Sequence, residues 1–189
     1  MGKILKIHLW PELVLKRVAD EINIFDDSYT DFLSKMSNLM RVAGGIGLAA
    51  PQVGISSRFF IMLVNNYEKP NDSLDQIGSK IEFFGNPTVD NLSSEKIIFD
   101  EGCLSLPNNS VLVERYKSLT VKYFNEKGQK KSRKLCGIEA ICFQHENDHL
   151  NGITILDKLS LPEEEIDKIK QELRDKKKHL SSTMEDIYT

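Results

Sequence analysis

His145-Glu146-Asn147-Asp148-His149 sets two imidazoles four residues apart, with a carboxylate directly after the first. Four residues is just over one turn of helix, so on a helix both rings leave one face and can hold a single metal ion. Glu146 then lies beside them, placed to take a proton from water at that ion. Two histidines leave a hydrolytic metal short of a third protein ligand. A histidine six residues past the second, as one group of metalloproteases has, is missing, because Ile155 stands there. Two candidates remain. Glu172 lies 23 residues beyond His149 in a downstream helix, and Cys103 lies upstream in Glu101-Gly102-Cys103-Leu104-Ser105-Leu106-Pro107.

A third segment, Gly45-Ile46-Gly47-Leu48-Ala49-Ala50-Pro51-Gln52-Val53-Gly54, is rich in small residues. Small residues let another backbone approach closely, as a peptide substrate's would, and they serve equally in a tight helix-to-strand connection. Gln52 adds a neutral amide donor. The three cysteines, Cys103, Cys136 and Cys142, form no CxxC pair and cannot all be bonded to one another. Cys136 and Cys142 read as buried thiols.

The elements that must position these groups follow from periodicity. Asp26-Asp27-Ser28 offers N-cap chemistry for a helix over about Thr30 to Val42, whose Phe32, Leu33, Met36, Leu39, Met40 and Ala43 form one apolar face. Arg58 to Val64 predicts a buried strand, and Asn65 to Lys80 a polar surface loop. Strand-like pieces follow at Ile81–Phe84, Lys96–Phe99, Val111–Val113, Leu119–Phe124 and Gln129–Leu135, the last two joined as a hairpin. Gly137 to Leu150 returns to helix, with Gly152 suited to the left-handed position after it. Ser160-Leu161-Pro162-Glu163 is a capping box opening a C-terminal helix. The expected fold class is α+β: antiparallel or mixed strands around a central helix that carries the HExxH motif, with a C-terminal helix. Residues 1–160 then form the catalytic domain, and 161–189 the terminal helix and tail of the same domain.

The chain of 189 residues makes room for one domain. Hydrophobic residues at 40% and charged residues at 28% exclude a disordered or low-complexity chain. Lys+Arg 25 against Asp+Glu 28 gives −3, so there is no overall basic field for DNA. The longest apolar run, Phe59 to Val64, falls far short of the roughly twenty residues of a membrane span. Pro11, Glu12 and Lys16 interrupt any signal-peptide core, and the expectation is a cytoplasmic protein with no membrane partner.

The segments GIGLAAPQ, EGCLS and HExDH, in that order, resemble peptide deformylase from about Ile4 to Leu159. The resemblance implies metal ligands Cys103, His145 and His149, with iron(II) as the native ion and zinc or nickel as replacements. It implies hydrolysis of the formyl group of N-formylmethionyl peptides, with Glu146 as general base and acid. The oxyanion would be held by the metal, the Gln52 side chain and the Leu104 backbone N–H. Gly45, Ile46 and Gly47, with Gly102 opposite, would take the peptide backbone. Ile46, Phe99, Ile138, Ile141, Cys142 and His145 would line the methionine pocket. Glu101 is expected to pair with Arg115 beneath the second motif. Ser110 stands where several bacterial relatives have an arginine near the peptide's outer end. The basic C-terminal helix, with Lys168, Lys170, Arg174, Lys176, Lys177 and Lys178, fits either docking on the ribosome or packing on the domain.

Overall fold

A computed structural model describes residues 5–65, 79–159 and 162–179. Most of the polar stretch expected as a loop, the cap expected at Ser160 and the tail past residue 179 lie outside them. Helix α1 (Ser28–Val42) begins two residues earlier than its periodicity predicts, because Asp26 Oδ1 accepts the Ser28 N–H at 2.9 Å. Its apolar face buries Met36 and Met40 completely, with Phe32, Leu33 and Leu39 packed around them.

Among the described residues seven strands follow α1: β1 (Gly47–Ala49), β2 (Phe59–Asn65), β3 (Ser79–Leu92), β4 (Lys96–Cys103), β5 (Leu106–Tyr116), β6 (Ser118–Phe124) and β7 (Lys130–Cys136). Strands β1-β2-β3-β6-β7 form one antiparallel sheet in that order, and β4 and β5 pair as a separate antiparallel hairpin. The expected α+β architecture is therefore observed. Strand β4 runs on to Cys103 itself rather than stopping at Phe99. Phe99 and Glu101, two residues apart, share one face of it, and the pairing with β5 shifts between Gly102 and Cys103. Alternation along β7 corrects the reading of Cys136. Leu135 points into the core, so Cys136, one residue on, is exposed rather than buried.

Helix α2 (Ile138–Leu150) is buried on nearly every side, with Ala140, Ile141, Cys142, Phe143, His145, Glu146, His149 and Leu150 all withdrawn from solvent. Phe143 meets Phe60 and Phe84 edge-on, at ring separations of 5.3 and 5.8 Å, which fixes the helix on the five-stranded sheet. The β4–β5 hairpin closes over its other side. Gly152, just past its end, has φ +70°, and a Cβ there would lie 2.5 Å from the Lys16 carbonyl oxygen. The C-terminal helix α3 (Glu163–His179) packs Leu173 into a cluster with Trp10, Leu106, Val111 and Ile155, and the Arg174 guanidinium lies 5.4 Å from the Trp10 ring centre.

Candidate metal centre

Strand β4 delivers Cys103 and helix α2 delivers both histidines to one point. One donor atom from each of Cys103, His145 and His149 falls within 4.8 Å of the others. Cys103 Sγ lies 3.3 Å from His149 Nε2, and the two imidazoles are 5.0 Å apart. The i, i+4 spacing read from the sequence thus converges as expected. Glu172 is exposed on α3 and takes no part in this cluster.

Behind the donors runs a buried chain of charge. His145 Nδ1 donates to Glu101 Oε2 at 2.9 Å, which leaves Nε2 as that ring's donor to a metal. Arg115 grips Glu101 with two hydrogen bonds, Nε to Oε1 at 2.6 Å and Nη2 to Oε2 at 2.9 Å. Its third arm donates to Asp148 Oδ2 at 2.5 Å. The expected Glu101–Arg115 bridge is present. Burial pushes the Glu101 carboxyl up, but the hydrogen bonds from Arg115 and His145 outweigh it and hold the group below the usual carboxylate range. A permanent anion here keeps the His145 ring oriented. Asp148 was missed as a partner, although it sits inside the HExxH motif.

Glu146 is buried beside the cluster with Oε2 unpartnered. A carboxylate oxygen left so would be costly without a cation or water near it. One thiolate and two imidazoles suit zinc or iron(II), and three protein donors is the number that catalytic sites use when one position is kept open. The residues present fit a divalent metal. Burial raises the Glu146 carboxyl to about 7, where a carboxylate can both take and return a proton near neutral pH.

Gln52, 1% exposed, faces the cluster from the short helix Ala50–Val53. Its Oε1 accepts the Ala49 N–H at 2.8 Å, while Nε2 donates to Ser105 Oγ at 3.1 Å and reaches Cys103 Sγ at 3.7 Å. The N-terminal segment straps these pieces together. His8 N–H donates to the Gln52 carbonyl at 2.7 Å and Trp10 N–H to the Ser105 carbonyl at 2.9 Å. Sequence reasoning passed over Ser105, although it lies in the motif that carries Cys103.

A cavity of about 590 Å³ opens above the cluster. Gly45, Ile46 and Gly47 line one side, Phe99 and Gly102 come from β4, and Ile138, Ile141 and Cys142 from α2. Gln52, Cys103, Leu104, His145 and Glu146 line it too, whereas His149 is buried outside the lining. Gly47 also has a purpose that the sequence did not reveal. A Cβ there would collide with the Glu146 carboxylate and lie 2.7 Å from Cys142 Sγ.

A Cys/His/His donor set, its two histidines buried, with a carboxylate beside it and an amide donor facing it defines a metal-dependent amide hydrolase. Residues 4–165 match the polypeptide deformylase family. The chain is 37% identical over 155 residues to a peptide deformylase of Thermotoga sp. strain RQ2, covering 82% of this chain and 87% of the relative. It is 41% identical over 157 residues to that of Wolbachia pipientis from Culex pipiens, covering 82% and 87%. Its backbone matches the crystal structure of peptide deformylase from Ehrlichia chaffeensis with a TM-score of 0.81 at 30% identity, over 94% of this chain and 98% of that one. The chain belongs to the peptide deformylase family. No helix among the described residues is long and apolar enough to cross a membrane.

Proposed function

We propose that this chain hydrolyses the terminal formamide of N-formylmethionyl peptides, releasing formate and a free amino terminus. The observation that carries this reading is the Cys103/His145/His149 cluster with the unpartnered Glu146 carboxylate beside it. A divalent cation on those three residues supplies, when bound, Lewis-acid activation of water and of the formyl carbonyl. Glu146 takes the proton of the attacking water at Oε2 and returns it to the departing amine as the carbon–nitrogen bond breaks. The Gln52 amide and the Leu104 backbone N–H stabilise the oxygen that gains charge as the formyl carbon becomes tetrahedral. Glu101 holds the His145 ring through both steps.

Gly45, Ile46 and Gly47 pair with the substrate backbone, with Gly102 opposite. The methionine side chain enters between Phe99, Ile138, Ile141 and Cys142. Iron(II) is the metal we assign, and zinc and nickel suit the same donors. We assign the protein to the cytoplasm, where nascent chains are made, and the basic side of α3, with Lys168 exposed, to contact with the ribosome. Co-sedimentation with ribosomes, lost when α3 is removed, is the expected result for that assignment. The principal test is formate release from formyl-Met-Ala-Ser by anaerobically prepared iron, zinc and nickel forms. Turnover is expected, and a chain that holds each metal but releases no formate would overturn the reading.

A further inference from the structure

A second cavity, of about 580 Å³, lies beyond the first. Three side chains, Phe99, Ile138 and Ile141, line both. These three side chains form the partition between the two spaces. Phe99 is 37% and Ile138 45% exposed, so neither is locked in place by packing. Ile97, two residues before Phe99 on β4 and 38% exposed, continues the apolar floor into the second cavity.

The chemistry of its rim decides what could enter. Lys117 Nζ donates to Glu95 Oε2 at 2.9 Å, and Ser93 Oγ donates to the Glu95 carbonyl at 2.8 Å. The Ser118 N–H donates to Ser93 Oγ at 3.1 Å. Lys117, Glu95 and the Ser93 hydroxyl thus bond one another at this mouth, and Ile97, Phe99, Ile138 and Ile141 give the lining its apolar part. An uncharged, apolar group suits this lining.

Strand β4 sets the direction of approach. Glu101, Phe99 and Ile97 share one face of β4, successive members about 7 Å apart, and Cys103 follows where the pairing with β5 shifts. A side chain that enters beside the metal cluster and reaches Phe99 meets Ile97 one such step further on. Methionine ends at the partition, whereas a chain several methylenes longer must cross it.

We propose that the second cavity is an extension of the first-residue pocket, which takes the far end of long, unbranched apolar side chains on N-formylated substrates. This rests on the deformylase reading above. Phe99 and Ile138 are the residues that set the length of chain accepted, by yielding or not yielding at the partition. Cys136 lines the second cavity but not the first, and it is exposed, which makes it a probe of occupancy. Cys142 is buried, Cys103 is partly buried and would be held as a ligand in the metal-loaded protein, and Cys136 is the exposed thiol of the three, so reagents reach it first.

The metal-loaded protein is assayed with formyl-methionyl-Ala-Ser and formyl-α-aminodecanoyl-Ala-Ser, before and after capping Cys136 with benzyl methanethiosulfonate. Before capping, kcat/KM for the long substrate is expected within about tenfold of that for methionine. Capping is expected to lower the long-chain value at least tenfold and to leave the methionine value within twofold, with no effect in Cys136→Ser. A second readout needs no turnover. The deformylated α-aminodecanoyl peptide should slow alkylation of Cys136, followed by mass spectrometry, and the methionyl peptide should not. Rejection of the long substrate while methionine is turned over would overturn the proposal, as would long-chain turnover or alkylation rates indifferent to each other. Failure of the methionyl substrate itself would instead refute the deformylase reading, and this one with it.

Discussion

Ser105→Ala tests how the Gln52 amide is aimed. Gln52 Nε2 carries two hydrogens, one directed to Ser105 Oγ at 3.1 Å and one toward Cys103 Sγ at 3.7 Å. Its Oε1 is held by the Ala49 N–H, which fixes which end of the amide faces the metal cluster. Losing the Ser105 hydroxyl removes one neutral hydrogen bond from a buried donor and costs about 1–1.5 kcal/mol. If that cost falls on the transition state it is roughly tenfold in kcat. It must stay below the roughly hundred- to thousandfold loss of a whole oxyanion donor, which is the expectation for Gln52→Leu. The Ala49 contact survives, so KM should hold within about twofold while kcat falls. The decisive assay is a double-mutant cycle on formate release. In a Gln52→Leu background, Ser105→Ala should add less than twofold. An unchanged kcat for the single variant, or full multiplicative loss in the double one, would refute the positioning role.

Cys103→Ala should abolish metal retention, and Glu172→Ala should leave it intact, because Glu172 is exposed on α3 far from the donor cluster; elemental analysis reads both. Glu146→Ala should keep the metal and lower turnover by about a hundred- to ten-thousandfold, and near-normal rates would contradict its role. Glu101→Gln removes the anion under His145 and should weaken metal affinity about ten- to a hundredfold, measured by competition with a chelator. Burial pushes the Asp157 carboxyl up, but Lys16 and the Thr154 N–H and hydroxyl outweigh it and leave it below its ordinary value. Its stabilising contribution is then fully present above about pH 3.9 and lost as pH falls through the lower folded value, so Asp157→Asn should reduce Tm at neutral pH more than in strong acid.

The donor cluster was legible in the sequence because helical geometry ties positions 145 and 149 to one face whatever surrounds them. The third member of the cluster was not, since spacing left Glu172 and Cys103 both open and only the company of the other two motifs separated them. Contacts that cross the chain were harder still. Gln52 and Ser105 are 53 residues apart, and nothing local in either motif announces their hydrogen bond. Asp148 reads as one more polar residue on a helix until β5 brings Arg115 against it. Cys136 illustrates a parity problem. With the strand read as ending at Leu135, Cys136 was read as a buried thiol from residue type alone, and one residue of alternation reverses that burial. Gly47 read as room for a substrate, whereas the protein's own Glu146 and Cys142 occupy the space a Cβ would need. The second cavity left no motif at all, because it is built from ordinary apolar residues on β4 and α2.

The central claim is that the Cys103/His145/His149 cluster, with Glu146, cleaves a formamide rather than a peptide bond. Formate and newly exposed amino groups should be counted in one reaction of the anaerobically prepared iron form with formyl-Met-Ala-Ser. The account predicts one formate per free amino terminus, an intact Met-Ala-Ser product, and no turnover by Glu146→Ala. Free amino groups without formate, from cleavage inside the peptide, would contradict it.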